Sequence, residues 1–133
     1  MTTAPRVLVI DDDLDLLRIV TLLLQRINAE AIPAKDGHAG LAALEADPKP
    51  DLVILDLMLP DLDGLEVLQR IRAQPALNHI PVLILSAKAD PTTIRQGLDR
   101  GADGYVTKPY LANSLLDRVR ALLSTGRHQP ATD

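Results

Sequence analysis

The sequence predicts an α/β fold: a doubly wound, five-stranded parallel sheet flanked by five helices, in strand order 2-1-3-4-5. Three observations predict it. Four apolar runs are too short and too continuous for amphipathic helices and read as strands buried on both faces. The segments between them repeat their apolar residues at helical spacing. Strand and helix alternate along the chain, which implies right-handed crossovers within one sheet.

The first strand is RVLVI, residues 6–10, and the helix after it presents Leu16, Val20, Leu23, Leu24 and Ile27 on one face. AEAIPA, residues 29–34, is a weaker strand candidate, because Pro33 has no N–H for a ladder and belongs on an edge. An edge position for this second strand is what selects the order 2-1-3-4-5. DGHAGLAALEADP opens a helix after Asp36 and Gly37 and is closed by Pro48. DLVIL, residues 51–55, is the third strand; Pro60 and Gly64 punctuate the loop before a helix carrying Leu65, Leu68 and Ile71. PVLIL, residues 81–85, follows as the fourth strand, and Ile94 and Leu98 mark the face of the next helix, about residues 92–100. GYVT, residues 104–107, is the fifth strand, and the last helix buries Leu115, Leu116, Val119, Leu122 and Leu123. From Ser124 onward, STGRHQPATD is polar and aperiodic, the pattern of a flexible tail or the stump of a linker.

A chain of 133 residues has room for one domain. Its core must be built from branched aliphatics, since it contains no Phe, no Trp and only two Tyr. The absence of Cys excludes disulfides and thiolate metal sites. No secretory h-region and no apolar run of membrane-spanning length occur, so a cytoplasmic protein without a membrane partner is expected. The net charge of −4, with no clustered Lys/Arg stripe, argues against direct nucleic-acid binding.

In an open α/β sheet, ligands sit outside the carboxyl ends of the strands, where the strand order reverses. For the order 2-1-3-4-5 that point lies between strands one and three. Strand one ends in Asp11 and Asp12, strand three in Asp56, strand four in Ser86 and strand five in Lys108. Three carboxylates directed into one crevice call for a hard cation, Mg²⁺ or alternatively Mn²⁺. Mg²⁺ prefers to share carboxylates with phosphoryl oxygens, so phosphate chemistry is implied. Asp56 stands as the carboxylate nucleophile, Lys108 as the group that neutralises phosphoryl charge, and Ser86 as a hydrogen-bond donor to the same group.

Other polar residues read more simply. Asp13 and Asp15 start the first helix as cap and first-turn acid. Asp61 and Asp63, beside Gly64, supply turn chemistry, which frees Asp56 for another role. His38, His79 and His128 share no spacing and read as surface residues.

The segments VLVIDDD, PDLVILDLMLPDLDG, PVLILSAKA and GADGYVTKPY, in this order, resemble the response regulator receiver domain of two-component signalling. The resemblance covers residues 6 to about 123 and assigns 1–123 to the receiver and 124–133 to the tail. It implies a flavodoxin-like, CheY-like architecture and a phosphorylation site at Asp56. Asp12 and Asp56 would ligate Mg²⁺ directly, Asp11 mainly through water, and Met58 through its backbone carbonyl. Ser86 and Tyr105 would be the switch pair, Lys108 the ion-pairing lysine, and the Lys108–Pro109 bond cis. Met58 and Lys88 occupy positions where family members vary the lifetime of the aspartyl phosphate.

By the same resemblance the phosphodonor is a sensor histidine kinase or a histidine phosphotransfer protein. The output face is formed by the fourth helix, fifth strand and fifth helix, and LLDRVRALL resembles members that form homodimers through it. Such a domain catalyses only its own phosphorylation and dephosphorylation. Its downstream target is open, and the chain reads either as a stand-alone regulator or as a receiver cut from a longer DNA-binding or enzymatic protein. Two other classes compete. An aspartyl-nucleophile phosphohydrolase similar to the haloacid dehalogenases needs an acid two residues after its nucleophile, where this chain has Met58. A flavin carrier needs a phosphate-binding loop and stacking aromatics, which are lacking.

Overall fold

A computed structural model describes residues 3–127. Ten elements alternate: β1 (Arg6–Ile10), α1 (Leu14–Gln25), β2 (Glu30–Ala34), α2 (Gly37–Glu45), β3 (Leu52–Leu55), α3 (Gly64–Ala73), β4 (Val82–Ser86), α4 (Pro91–Asp99), β5 (Gly104–Thr107) and α5 (Ala112–Thr125). The strands form one parallel sheet in the order β2-β1-β3-β4-β5, with Pro33 on the edge strand as expected. Among the described residues no helix is long and apolar enough to cross a membrane.

The period-two geometry of a strand divides each apolar run between the two faces of the sheet. Val7, Val9, Leu52, Ile54, Leu83 and Leu85 pack with Leu16, Val20 and Leu24 of α1 and Leu115, Leu116 and Val119 of α5. Leu8, Ile10, Val53, Leu55, Val82 and Ile84 pack with Leu44 of α2 and Val67, Leu68 and Ile71 of α3. Both faces are dry, which is why these strands read as continuous apolar runs rather than alternating ones.

Aspartates start four of the five helices. Asp13 accepts from the N–H groups of Asp15 and Leu16, Asp36 from Ala39, Asp63 from Leu65 and Asp90 from Thr93, so the expected cap at Asp13 is present. Pro91 occupies the first turn of α4, where its missing N–H costs nothing. The seating of α4 differs from the expected Ile94 and Leu98 face: its one buried residue is Gly97, while Leu98 is 44% exposed. A Cβ on Gly97 would lie 2.7 Å from Ile84 Cδ1, so the helix rests on the sheet through its smallest residue.

The C-terminal boundary is also corrected. Ser124 and Thr125 continue α5, and Arg127 donates to Asp103 Oδ1 at 3.1 Å and to the Asn78 carbonyl at 3.0 Å. The expected tail therefore does not begin at 124, because a buried carboxylate holds the chain as far as Arg127; residues 128–133, with His128, lie outside the described residues. The Asp103 side chain is 3% exposed, accepts from Arg72 and from the Val82 N–H, and joins α3, β4, the α4–β5 loop and the end of α5. Burial first, then the nearby charge of Arg127, lowers the Arg72 pKa to about 10, with Asp103 opposing the shift.

Removing one member of a buried charge cluster leaves the others uncompensated. Asp103→Ala is expected to lower the unfolding free energy by about 3 kcal/mol in urea melts. A loss below about 1 kcal/mol would show that the cluster is merely a solvated surface group.

Candidate functional site: a carboxylate cluster at the strand ends

Parallel register aligns the ends of neighbouring strands. Ile10 of β1 pairs with Leu55 of β3, so Asp11 and Asp56 emerge side by side at the point where the strand order reverses. The Asp56 N–H bonds to the Ile10 carbonyl at 3.0 Å, and the Asp11 N–H to the Ala34 carbonyl at 3.0 Å. Ser86 pairs with Thr107, which places Lys108 one residue beyond the end of β4, and the Lys108 N–H bonds to the Ser86 carbonyl at 2.9 Å. The Lys108–Pro109 bond is cis.

One carboxylate oxygen from each of Asp11, Asp12 and Asp56 lies within 4.8 Å of the other two. Asp11 and Asp56 are buried and Asp12 is exposed, so the cluster opens to solvent on one side. Lys108 Nζ donates to Asp11 Oδ2 at 2.8 Å and to Asp56 Oδ2 at 3.1 Å. The remaining oxygens are steered by the backbone: Asp11 Oδ1 accepts from the Asp13 N–H at 2.9 Å, and Asp56 Oδ1 from the Met58 N–H at 3.2 Å. One ammonium thus bridges the two buried carboxylates, with the exposed Asp12 carboxylate beside them. Two like charges at the spacing of this cluster repel by about 3 kcal/mol at an effective dielectric of 20.

Burial, with repulsion from Asp56 adding to it, pushes the Asp11 carboxyl above its ordinary value despite the hydrogen bonds from Lys108 and Asp13. Burial works against the Lys108 charge as well, but the hydrogen bond to Asp11 and the two acidic charges outweigh it and raise the lysine. The consequences for stability have opposite forms. A raised lysine contributes stability that is present at neutral pH and lost only as pH rises through its folded value. A raised carboxyl costs nothing in strong acid, and its cost develops as pH climbs from the unfolded value of the acid to the folded one.

Ser86 and Tyr105 border the cluster. Ser86 is fully buried, and its Oγ accepts from the Lys88 N–H at 3.3 Å. The Tyr105 ring lies over Gly97 of α4, and its hydroxyl donates to the Lys88 carbonyl. The two expected switch residues are therefore joined through one short loop after β4. Gly64 closes the other side: a Cβ there would stand 2.4 Å from the Asp56 carbonyl oxygen and from Leu57 Cα, so only glycine lets α3 start this close to β3.

Sequence reasoning missed two acids. Asp61, read as turn chemistry, bonds to the amino end of α2, and Asp103 had no assigned role. Their partners are more than twenty residues away, beyond any local pattern. His38 and His79 are exposed as expected, although His38 pairs with Asp61.

A five-stranded doubly wound sheet with acids and one lysine at its reversal point defines a class: an α/β module with an acidic, cation-ready crevice. The response regulator receiver domain model matches residues 7–120, and the chain belongs to that family. It is 44% identical over 119 residues to the DNA-binding dual master transcriptional regulator RpaA of Synechocystis, covering 90% of this chain and 49% of that protein. The chain thus spans about half the length of the curated relatives it matches. The chemotaxis response regulator CheY4 of Vibrio cholerae superposes with a TM-score of 0.83 at 28% identity, covering 90% of this chain and 99% of that one. A Mn²⁺-bound form of the response regulator Rcp1 superposes with a TM-score of 0.77 at 31% identity, covering 91% and 93%. The protein is a receiver domain of a two-component response regulator.

The surplus of negative charge at the crevice sets an expectation for its variants. In divalent-free buffer at pH 7, Asp11→Asn raises the unfolding free energy by about 1 kcal/mol, because the asparagine carries no charge while Asp56 keeps Lys108. Excess Mg²⁺ stabilises the wild type more than the variant and narrows or reverses the gap. A variant less stable than the wild type without metal would contradict the repulsion.

Proposed function

We propose that Asp56 is the phosphoacceptor and that the crevice works with one bound Mg²⁺, or Mn²⁺ in its place. The observation that carries this reading is the convergence of three carboxylates and one lysine at the sheet reversal, with Asp56 contacting both the lysine and the following loop. The donor set fits a hard cation: it holds only oxygens, carries more negative charge than Lys108 offsets, and opens to solvent through Asp12. Asp12, Asp56 and the Met58 carbonyl would hold the ion directly, and Asp11 mainly through water. When bound, Mg²⁺ supplies charge neutralisation and alignment for the phosphoryl oxygens.

Asp56 provides the nucleophile. One of its carboxylate oxygens bonds to phosphorus as the phosphorus–nitrogen bond of a donor phosphohistidine breaks, and the imidazole leaves with the electron pair. The product is an acyl phosphate on Asp56, which water later hydrolyses. Lys108, already within hydrogen-bond distance of Asp56, offsets the charge that accumulates on the phosphoryl oxygens. Ser86 donates its hydroxyl to one of those oxygens and moves toward the site to do so, drawing on the loop that carries Lys88. Tyr105, bonded to the Lys88 carbonyl, follows that loop inward. The surface that responds is the α4–β5–α5 face, where α4 buries only Gly97.

The donor is a sensor histidine kinase or a histidine phosphotransfer protein in the cytoplasm. The chain turns over no substrate besides its own phosphoryl group. The receiver fold that carries phosphoryl transfer includes the whole of α5 and the segment anchored as far as Arg127. Its output is exerted on a downstream protein, on a second copy through the α4–β5–α5 face, or on a DNA-binding portion such as relatives of twice this length carry in their names.

Incubation with Mg²⁺ and a small acyl phosphate should add one phosphoryl mass to the wild type and none to Asp56→Asn, read by intact mass spectrometry. Lys108→Ala should slow the reaction by about a hundredfold. An unmodified wild type, or equal labelling of Asp56→Asn, would overturn the assignment.

A further inference from the structure

The loop between β3 and α3, residues 56–63, carries both Asp56 and Met58, and a third attachment holds it besides its two ends. Asp61, near its tip, reaches across to the amino end of α2. Its Oδ1 accepts from the Gly37 N–H at 2.8 Å, and its Oδ2 accepts from the His38 N–H at 2.8 Å and meets His38 Nδ1 at 2.6 Å. Two free backbone donors of the first helical turn and an imidazole thus converge on one carboxylate. Leu62, the next residue, lies against Gly37 so closely that a Cβ there would be 3.0 Å from Leu62 Cβ. Despite some desolvation, the hydrogen bonds from His38 and Gly37 keep the Asp61 carboxyl well below the usual carboxylate range.

The remainder of the loop is short and self-bonded. Gly64 N–H bonds to the Leu57 carbonyl at 3.0 Å, and Met58 and Asp63 form an isolated antiparallel bridge. The Met58 N–H, inside that bridge, donates to Asp56 Oδ1. A displacement of the tip is therefore passed through the Met58–Asp63 pair to the amide that orients the Asp56 carboxylate. α2 has a cap of its own, Asp36, bonded to the Ala39 N–H at 2.7 Å.

We infer that Asp61 is a positioning residue for the metal and phosphoryl site: by fastening the β3–α3 loop to the amino end of α2, it sets where Met58 presents its backbone to Asp56 and to a bound divalent cation. The inference rests on the proposed Mg²⁺ site and names a residue on which the affinity of that site depends. It assigns to α2 a second duty as the rigid anchor of that loop. The geometry also explains why an acid stands at position 61: a carboxylate accepts from both Gly37 and His38, whereas an amide side chain offers a single oxygen.

The test separates this role from ordinary helix capping, because Asp36 and Asp61 both accept from the first turn of α2 and only Asp61 holds the loop. Mg²⁺ affinity is measured by calorimetry and thermal stability without metal, for the wild type, Asp61→Ala, Asp61→Asn and Asp36→Ala. Asp61→Ala should weaken Mg²⁺ binding by about tenfold, the scale of losing an outer-shell support, and Asp61→Asn by less. In the metal-free protein the amide resonances of Met58 and Asp56 should shift in both Asp61 variants. Asp36→Ala should lower the melting temperature yet keep Mg²⁺ affinity within about twofold of the wild type. Wild-type affinity in Asp61→Ala, with unshifted Met58 and Asp56 amides, would overturn the inference. If Asp61→Ala does not fold, Asp61→Asn decides by the same two readouts. Failure of the wild type to bind Mg²⁺ at all would instead overturn the underlying site.

Discussion

The constraint on which this structure turns is electrostatic: three carboxylates share one corner of a small domain with a single ammonium group. Such a cluster opposes folding, since burial and mutual repulsion both disfavour the charged acids. The fold tolerates it because each oxygen of the two buried aspartates has a donor, from Lys108, from Asp13 or from Met58. What those donors leave uncompensated is charge, which the proposed divalent cation would offset. Function here follows from a local deficit that the rest of the domain is stable enough to carry.

The parallel sheet makes that corner. With β1 and β3 adjacent and Ile10 in register with Leu55, residues 45 positions apart in sequence end at the same level. β4 and β5 repeat the arrangement one strand further, so Ser86 and Lys108 arrive from the side. Dry packing on both faces fixes the strand ends. The opposite end of the sheet is fastened by its own charge cluster, in which Asp103 joins Arg72, the Val82 N–H and Arg127. The site thus sits at one end of a framework bolted at the other, bordered by the loop after β4, Tyr105 and the lightly seated α4.

Much of this was legible in the sequence. Continuous apolar runs, a proline in the second of five strands and acids at the strand ends lead to the strand order and to Asp11, Asp12, Asp56, Ser86 and Lys108 by topology alone, and Met58 and Tyr105 follow from family resemblance. Three features were not legible, each for a physical reason. The buried residue of α4 is Gly97, because close approach to Ile84 outweighs the apolar side chains of Ile94 and Leu98 that a helical pattern selects. The folded unit extends to Arg127, because its partners Asn78 and Asp103 lie far back in the chain. Asp61 looked like a turn residue, because its role is set by amides 23 and 24 positions away. Periodicity reports on a residue's own element, and these contacts lie between elements.

As proposed above, the three acids form one selective divalent site. The most direct measurement is a Mn²⁺ titration followed by paramagnetic broadening of backbone amide resonances. Saturation is expected at one ion per chain, with broadening centred on the amides around Asp11, Asp12, Asp56 and Met58. Broadening spread over surface acids such as Asp47, Asp99 and Asp117, or equal across the chain without saturation, would contradict it.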